Sequence, residues 1–389
     1  MKGGAFLSEG GYGCVFYPEV SCSGKDTDNR KYISKIQRKD FSAENEIHVG
    51  KLIIKIMKKW IEKPLLNNFA PVLSTCPIDV SKLSIDEEDK CTLFKKEQTT
   101  DYVIMKVRYV DQNDFDAYLV GERDGASVIR TFMTSYNHLL QSISFLLIAN
   151  IVHNDIKGQN VIFDTERSLP IVIDFGLSIP ITEVRKDNLL NYFYVFAPDY
   201  YAWPLEVHLL NYVLHVSPRL DQKAMRDLAR EYTSNNTALR AFSPRFRSKF
   251  ESLCYDELLT YVGEEEEDVV KRVLDNWRTW DNYSLSIMFI KVLFFLVRRA
   301  DAKYVLDNPF VAFMTQLLLK NIHPDPSRRL SVETTTKVFN LFLYNQEVDK
   351  VSVFAELVKQ VTDNKESIDA ALVGSRRRMI ALTRRALRR

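Results

Sequence analysis

The sequence has few cysteines, glycines and prolines, almost no net charge and no hydrophobic run of membrane-spanning length. Its 389 residues include 5 Cys, 13 Gly and 13 Pro, which excludes a disulfide-rich miniprotein and a collagen-like chain. The formal net charge is +2, so no overall field directs the chain to nucleic acid or to a membrane surface. With 46% hydrophobic and 12% aromatic residues, the chain can bury the cores of two domains and is not disordered throughout.

The cysteines and the apolar runs bear on where the protein works. The first residues lack the apolar core of a signal peptide. The longest apolar runs are 142–152 and 287–297; a membrane span needs about twenty residues, so both runs are predicted to be buried helices and no transmembrane segment is expected. The odd number of cysteines predicts no paired disulfide framework and an intracellular, reducing compartment. These residues are Cys14, Cys22, Cys76, Cys91 and Cys254.

Short β-type segments precede a helical remainder. Apolar residues recur at helical spacing from residue 41 to about 60, which predicts a helix there. The polar stretch 77–99 is predicted to be a loop insertion. Strands are predicted at 5–10, 13–20, 31–37, 100–110, 160–164 and 170–176, and later helices at 124–150, 205–215, 281–299, 308–320 and 331–345. This order predicts an α+β fold with a small β-rich lobe and a larger α-helical lobe.

A glycine cluster lies between the first two predicted strands. Backbone N–H groups of such a hairpin can approach phosphate oxygens because no side chains obstruct them. A plain hairpin turn is the alternative. A Rossmann loop would need a helix directly after the glycines, and a P-loop would need Gly-Lys-Ser/Thr, which is absent. The segment runs Leu7, Ser8, Glu9, Gly10, Gly11, Tyr12, Gly13, Cys14, Val15.

A lysine, Lys35, lies inside a short apolar strand pattern. A lone lysine of this kind is commonly an outward-facing residue of an edge strand. If Lys35 instead lies under the glycine cluster, it could neutralise nucleotide phosphates and would need a carboxylate to orient it. Glu46 in the next helix is the candidate, with Glu44 as the alternative, since residues two apart on a helix do not share a face.

Two polar motifs carry the strongest chemical signal. Asp155, Lys157 and Asn160 lie in one tight loop, and Asp174 follows a second strand. Phosphoryl transfer needs such a set, because one carboxylate accepts the proton of the attacking hydroxyl while another carboxylate and an amide oxygen hold Mg²⁺. A lysine offsets the charge of the transferred group. Polar loop residues by chance, with Asp174 as a helix cap, are the alternative, and the joint spacing disfavours it.

These motifs resemble those of the eukaryotic-type protein kinases. HNDIKGQN (153–160) is similar to the catalytic loop H-R-D-x-K-x-x-N, DFG (174–176) matches the family's motif, and the glycine cluster fits G-x-G-x-x-G-x-V with Ser8 at the first glycine. The resemblance implies a bilobal protein-kinase-like fold. It also implies phosphoryl transfer from ATP, assisted by Mg²⁺ or Mn²⁺, to serine or threonine hydroxyls of protein substrates.

The resemblance assigns roles to individual residues. It implies Asp155 as the catalytic base, Lys157 as the partner of the γ-phosphate, and Asn160 and Asp174 as the metal ligands. It implies that the segment 7–15 and Lys35 bind ATP, with Glu46 orienting Lys35. His153 is expected to brace the catalytic loop by hydrogen bonds rather than to bind a metal.

The later part of the chain carries weaker matches. Trp203-Pro204-Leu205-Glu206 resembles a divergent A-P-E motif, and 325–331 resembles the late D-P-x-x-R box, so Arg329 is expected to pair with Glu206. Asp281 resembles the aspartate of D-x-W-S-x-G. The resemblance implies an N-lobe at 1–110, a C-lobe at 111–345 with an insertion at 207–280, and a basic tail at 346–389.

Several departures from the family pattern are informative. Asn154 replaces the arginine before the catalytic aspartate, and the threonine before A-P-E is missing, with Asp199 near that place. The chain, with its insertion and divergent motifs, resembles the kinases of large cytoplasmic DNA viruses. This resemblance would place the protein in the host cytoplasm or the virion. The alternatives are a pseudokinase or scaffold that acts by binding, and a small-molecule phosphotransferase.

The basic tail is the last candidate for a function. Residues 350–389 carry ten Lys or Arg and four Asp or Glu. A solvated helix end is the simple interpretation. A basic amphipathic helix at 375–389 that contacts nucleic acid or an acidic surface is the alternative.

Overall fold

The structure is a computed structural model, and it describes most of the chain. The described residues are 4–9, 13–22, 29–59, 68–79, 91, 94, 101–110, 112–120, 124–297, 308–346 and 352–363. Gly10, Gly11 and Tyr12 of the glycine cluster and the tail 375–389 therefore lie outside the described residues.

Strands dominate the beginning of the chain and helices the rest. The described strands are β1 (Ala5–Glu9), β2 (Gly13–Tyr17), β3 (Tyr32–Arg38), β4 (Val72–Ile78), β5 (Tyr102–Arg108), β6 (Gln112–Asp114), β7 (Ile151–Val152), β8 (Val161–Asp164), β9 (Leu169–Val172) and β10 (Ile179–Pro180). The described helices are α1 (Phe41–Lys59), α2 (Phe115–Val120), α3 (Gly125–Ile148), α4 (Leu189–Tyr192), α5 (Leu205–His215), α6 (Gln222–Asn235), α7 (Pro244–Leu259), α8 (Glu266–Leu274), α9 (Trp280–Val297), α10 (Pro309–Asn321), α11 (Val332–Gln346) and α12 (Ser352–Asp363).

The chain divides into two compact units. The first contains residues 1–113 and 162–180, and the second contains residues 114–161 and 181–389. The return of 162–180 to the first unit is a feature that the sequence prediction did not include.

An antiparallel five-stranded sheet in the order β1-β2-β3-β5-β4 forms the centre of the first unit. Strand β5 is buried on both faces, which explains its nearly continuous apolar sequence. Its alternate residues Tyr102 and Ile104 join one core cluster, whereas Val103, Met105 and Val107 join the other, as the two-residue period of a strand requires. Strand β4 falls within a stretch that the sequence analysis did not assign to a strand.

Two disulfides join strands of this sheet to distant parts of the first unit. Cys14 of β2 is bonded to Cys91, and Cys22 is bonded to Cys76 of β4. The prediction that the cysteines form no paired framework is therefore wrong. The partners are 77 and 54 residues apart in the sequence, and such connectivity cannot be deduced from cysteine spacing alone. Cys254 is free and buried.

The helices of the second unit begin at recognisable capping residues. The Asp124 carboxylate accepts a hydrogen bond from the Ser127 N–H at the start of α3, and the Asp221 carboxylate accepts one from the Ala224 N–H at the start of α6. Helix α8 begins within the acidic run 264–268, with acidic side chains in its first turn, where the helix dipole favours them.

Helix α9 is the core helix of the second unit. Among the described residues, the segment Trp277–Val297 alone is long and apolar enough to cross a membrane. However, 83% of its most apolar 18-residue stretch is buried inside the protein. The predicted buried helix at 287–297 is confirmed. Helix α12, close to the C-terminus, packs on α3, where a Cβ at Gly125 would lie 2.3 Å from the Val358 carbonyl oxygen.

Candidate active site

The lysine singled out in the sequence lies on an interior strand. Strand β3 is paired with β2 on one side and with β5 on the other, so that Lys35 lies opposite Val15 and opposite Met105. The alternative of an outward-facing lysine on an edge strand is therefore wrong. Only 13% of the Lys35 side chain is exposed.

Two carboxylates hold the Lys35 ammonium. Its Nζ lies 2.6 Å from Oε2 of Glu46 and 2.9 Å from Oδ1 of Asp174. Glu46 belongs to α1 and is buried, whereas Glu44 on the same helix is exposed, so the predicted partner is present and the alternative is not used. A contact that joins residues 139 positions apart brings three of the predicted site residues together in the first unit.

Charge balance keeps Lys35 protonated. Burial opposes the charge of its ammonium, but the carboxylates of Asp174 and Glu46 outweigh that cost and raise the pKa of Lys35 above its usual value. A cation held between two carboxylates is fixed in position, and a phosphate group would find it charged at neutral pH.

The segment after β9 has an unusual backbone held by a helix residue. Asp174 has a φ of +66°, a left-handed conformation that is uncommon for a residue with a side chain and that clusters at functional sites. The Asn45 amide of α1 donates hydrogen bonds to the carbonyl oxygens of Gly176 and Ser178, at 3.1 and 2.7 Å. A Cβ at Gly176 would lie 2.6 Å from the Ser42 Oγ, so a larger residue there would require the Ser42 hydroxyl to turn away.

The second unit holds the other group of predicted site residues. The Lys157 ammonium and the Asn160 amide both donate to Oδ2 of Asp155, at 3.0 and 2.7 Å. The Asn160 amide also donates to the Asp155 carbonyl oxygen at 3.0 Å. The Asp155 and Lys157 side chains are only 7% and 8% exposed. The loop therefore presents an almost buried carboxylate whose orientation is fixed by a cation and an amide.

A buried aspartate of helix α9 anchors this loop. Asp281 accepts hydrogen bonds from the backbone N–H groups of His153 and Asn154, at 2.7 and 2.9 Å. Burial raises the pKa of Asp281 to about 6, although these two N–H groups lower it. The Asp155 N–H donates to Nδ1 of His153 at 3.3 Å, so His153 braces the loop as predicted. Asn154 has a φ of +61°.

Sequence reasoning missed one residue of this group, Tyr200. Its hydroxyl donates a short hydrogen bond to Oδ1 of Asp155 and accepts one from Lys157 at 3.0 Å. Asp199 lies near the place of the missing threonine, and the adjacent residue, Tyr200, carries the hydroxyl instead. The signal was present in the sequence as a hydroxyl-bearing residue next to the expected position, but a motif that expects threonine does not point to tyrosine.

The residues described on either side of positions 10–12 form two paired strands, β1 and β2. The strands pair antiparallel, with Glu9 opposite Cys14 and a register irregularity between Phe6 and Ser8. Leu7, Ser8 and Glu9 thus lie on β1, while Gly13, Cys14 and Val15 lie on β2. The predicted strand–loop–strand arrangement is confirmed for its two strands.

The donor set suits a hard cation better than zinc. The side chains expected to hold the metal offer one carboxylate and one amide oxygen, the ligand type that Mg²⁺ prefers, with phosphate oxygens completing its coordination. Asp174 is one-third exposed. Among the described residues no group of three or more His, Cys, Asp or Glu side chains is placed to hold a metal ion by itself.

Residues 82–203 match the family model of the protein kinase domain. The match spans the catalytic loop, the DFG motif and Tyr200. A distant relative is the "Probable serine/threonine-protein kinase mkcE" of Dictyostelium discoideum, which is 27% identical over 96 residues, covering 22% of this chain and 13% of that protein. The chain thus matches a small part of that relative's length.

The comparisons support the protein kinase superfamily, and the architecture agrees with them. An antiparallel sheet in the N-terminal region and a helix-rich remainder fit the bilobal α+β fold of these enzymes. The predicted fold class is confirmed. A protein kinase domain implies ATP, a divalent metal ion and protein substrates in general.

Proposed function

We propose that the protein transfers the γ-phosphate of ATP to serine or threonine hydroxyls of protein substrates, with Mg²⁺ as the metal. The observation that carries the proposal is the contact of Lys35 with both Glu46 and Asp174. It joins a strand lysine, a helix glutamate and the DFG aspartate, and the kinase mechanism requires both the lysine–glutamate ion pair and this aspartate in place.

Each unit contributes its own part of the chemistry. Lys35 would bind phosphate oxygens of ATP, and Asp174 and Asn160 would hold Mg²⁺, which neutralises the charge that develops on the phosphates. Asp155 would accept the proton of the attacking hydroxyl, and Lys157 would offset the charge of the transferred group. Most of the acceleration would come from positioning and electrostatic stabilisation.

The preference for serine and threonine rests on two weaker supports. Lys157 stands where the resemblance to serine/threonine kinases has its lysine, and the relative from Dictyostelium discoideum carries serine/threonine-protein kinase in its name. The likeness to kinases of large cytoplasmic DNA viruses stays a prediction. An intracellular, reducing location also stays a prediction. It was based on the expectation that the cysteines are unpaired, and the two disulfides contradict that expectation.

The deciding experiment compares three variants of the full chain. With labelled ATP, Mg²⁺ and dephosphorylated casein, Asp155→Asn and Asp174→Ala should each lose phosphate transfer, and Asp155→Asn should still bind ATP. Asp227→Asn changes an exposed carboxylate of α6 that pairs with Arg230, and it should behave as wild type. Labelling of a metabolite pool in place of casein would indicate a small-molecule phosphotransferase, and ATP binding without any transfer would indicate a pseudokinase.

A further inference from the structure

The hydroxyl of Tyr200 contacts the same two side chains that an acceptor hydroxyl would need. It donates to Oδ1 of Asp155 and accepts from the Lys157 ammonium. In the proposed function, an acceptor hydroxyl donates its proton to Asp155 while Lys157 lies beside the transferred phosphate. The Tyr200 hydroxyl therefore already makes the contacts with Asp155 and Lys157 that a substrate hydroxyl would make.

The remaining hydrogen-bonding capacity of Asp155 is small. Its Oδ2 accepts from Lys157 and Asn160, and its carbonyl oxygen accepts from Asn160. Oδ1 takes the Tyr200 hydroxyl and also lies 2.9 Å from the Lys157 ammonium. A phenol is more acidic than an aliphatic hydroxyl and donates more strongly to a carboxylate, so Tyr200 competes well for this oxygen.

The backbone around Tyr200 is fixed, whereas its side chain is partly exposed. The Trp203 indole N–H donates to the Asn154 carbonyl oxygen at 2.9 Å, and the Ser284 hydroxyl donates to the Ala202 carbonyl oxygen at 2.7 Å. The Tyr200 ring packs on Trp203 with centroids 4.7 Å apart. Rotation of the Tyr200 side chain can release Asp155 without moving the segment that carries it.

We infer that Tyr200 gates the acceptor site: its hydroxyl occupies the position of the substrate hydroxyl on Asp155, and a protein substrate must displace it. The inference rests on the proposed function and adds a residue that sets the affinity for the acceptor. Tyr200 acts by competition and takes no part in phosphate transfer.

The test measures steady-state kinetics of the full chain with casein and ATP. Tyr200→Phe removes only the hydroxyl, and it should lower KM for casein about tenfold, the effect of one hydrogen bond to a charged group, with KM for ATP and kcat unchanged or kcat higher. Tyr201→Phe is the matched control, because that hydroxyl accepts from Lys291 at 3.3 Å; it should leave the kinetics unchanged. A lower kcat with an unchanged KM for casein would make Tyr200 a positioning residue and overturn the gate, as would no change at all.

A second measurement covers the case in which Tyr200→Phe does not fold. O-acetylation of wild-type tyrosines by N-acetylimidazole, located by mass spectrometry, should accelerate at Tyr200 when casein and a non-hydrolysable ATP analogue are present. An unchanged rate at Tyr200 would overturn the gate. If the wild type transfers no phosphate to casein or peptides, the proposed function itself fails, and the gate fails with it.

Discussion

Arg329 and Glu206, which are 123 residues apart in the sequence, form a buried bidentate ion pair. Nη1 lies 2.6 Å from Oε1 and Nη2 lies 2.8 Å from Oε2. The side chains are 1% and 2% exposed, and Arg329 Nε also donates to the His323 carbonyl oxygen at 2.7 Å. The contact expected from the divergent A-P-E motif and the late D-P-x-x-R box is present, and it ties the start of α5 to the segment before α11.

Breaking this pair from one side should be costly. Arg329→Met leaves the Glu206 carboxylate buried without its partner, which is expected to lower the free energy of unfolding by about 3–5 kcal/mol. The measurement is urea unfolding followed by circular dichroism. The double variant Arg329→Met with Glu206→Leu is the control and should lose less than the single variant. A loss below about 1 kcal/mol in Arg329→Met would contradict the structural role of the pair.

Lys35 should be needed for nucleotide binding in a way that a neighbouring strand lysine is not. Lys35→Met removes the cation between Glu46 and Asp174, and the two carboxylates would then repel both each other and a triphosphate. Titration with ATP and Mg²⁺ in a calorimeter should show at least tenfold weaker binding. Lys106→Met on β5 is the matched control, since Lys106 pairs with Glu19 at 2.7 Å. Equal affinity of the two variants would refute the assignment of Lys35.

Asp281 should make stability depend on pH. Its pKa is raised from 3.8 to about 6, so the stability that the neutral carboxyl contributes is fully present below about pH 4 and is lost as the pH rises through 6. Asp281→Asn removes this titration. Between pH 4 and pH 7 the difference in unfolding free energy should shift by about 3 kcal/mol in favour of the asparagine variant. The test is the change of this difference with pH, because a constant difference at all pH values could come from lost hydrogen bonds. For Asp227→Asn, the difference from wild type should not change with pH.

The disulfides should stabilise the first unit. The Cys14–Cys91 bond joins residues 77 positions apart, and in the loop-entropy description its removal costs about 4 kcal/mol. Cys91→Ser and reduction of the wild type should both lower the unfolding temperature. Cys76→Ser, which removes the bond across 54 positions, should do so to a similar extent. Peptide mapping without reductant would reject the pairing if Cys14 were recovered as a free thiol.

The basic tail remains a separate, testable prediction. Deletion of 375–389 should weaken retention of the protein on DNA-cellulose, and the loss should shrink as salt rises, because each phosphate contact contributes about −0.9 to the slope of log K against log salt. Unchanged retention at low salt would exclude nucleic acid as its partner. Vesicles with and without anionic lipid would then test an acidic membrane surface.

The sequence predicted those parts of the candidate site that depend on short, dense motifs. Asp155, Lys157 and Asn160 lie within six residues, and a tight loop brings them together whatever the rest of the chain does. Glu46 was the first choice as the partner of Lys35 and Glu44 the alternative, because a buried ammonium needs a carboxylate and only one of these two helix residues can face it. Long helices rich in apolar residues, such as α3 and α9, were predicted nearly to their ends.

What the sequence did not show depends on pairing between distant positions. Tyr200 reaches Asp155 across 45 residues. A hydroxyl-bearing residue does stand beside the place of the missing threonine, but no motif connects a tyrosine there with the catalytic loop. The disulfide partners are equally remote, and strand β4 has a half-polar sequence that resembles a loop. In each case tertiary packing, rather than local preference, selected the outcome.

The close contact of α12 with α3 limits how the protein can be shortened. A fragment that stops at residue 345, where the family resemblance ends, would uncover the start of α3 and remove the Thr362 hydroxyl that accepts from the Gly125 N–H at 3.2 Å. Helix α12 thus covers the start of α3, although more than 200 residues separate the two helices in the sequence. Fragments made for expression should extend beyond residue 363. A larger side chain at position 125 would push α12 away from α3, since a Cβ there would lie 2.3 Å from the Val358 carbonyl oxygen.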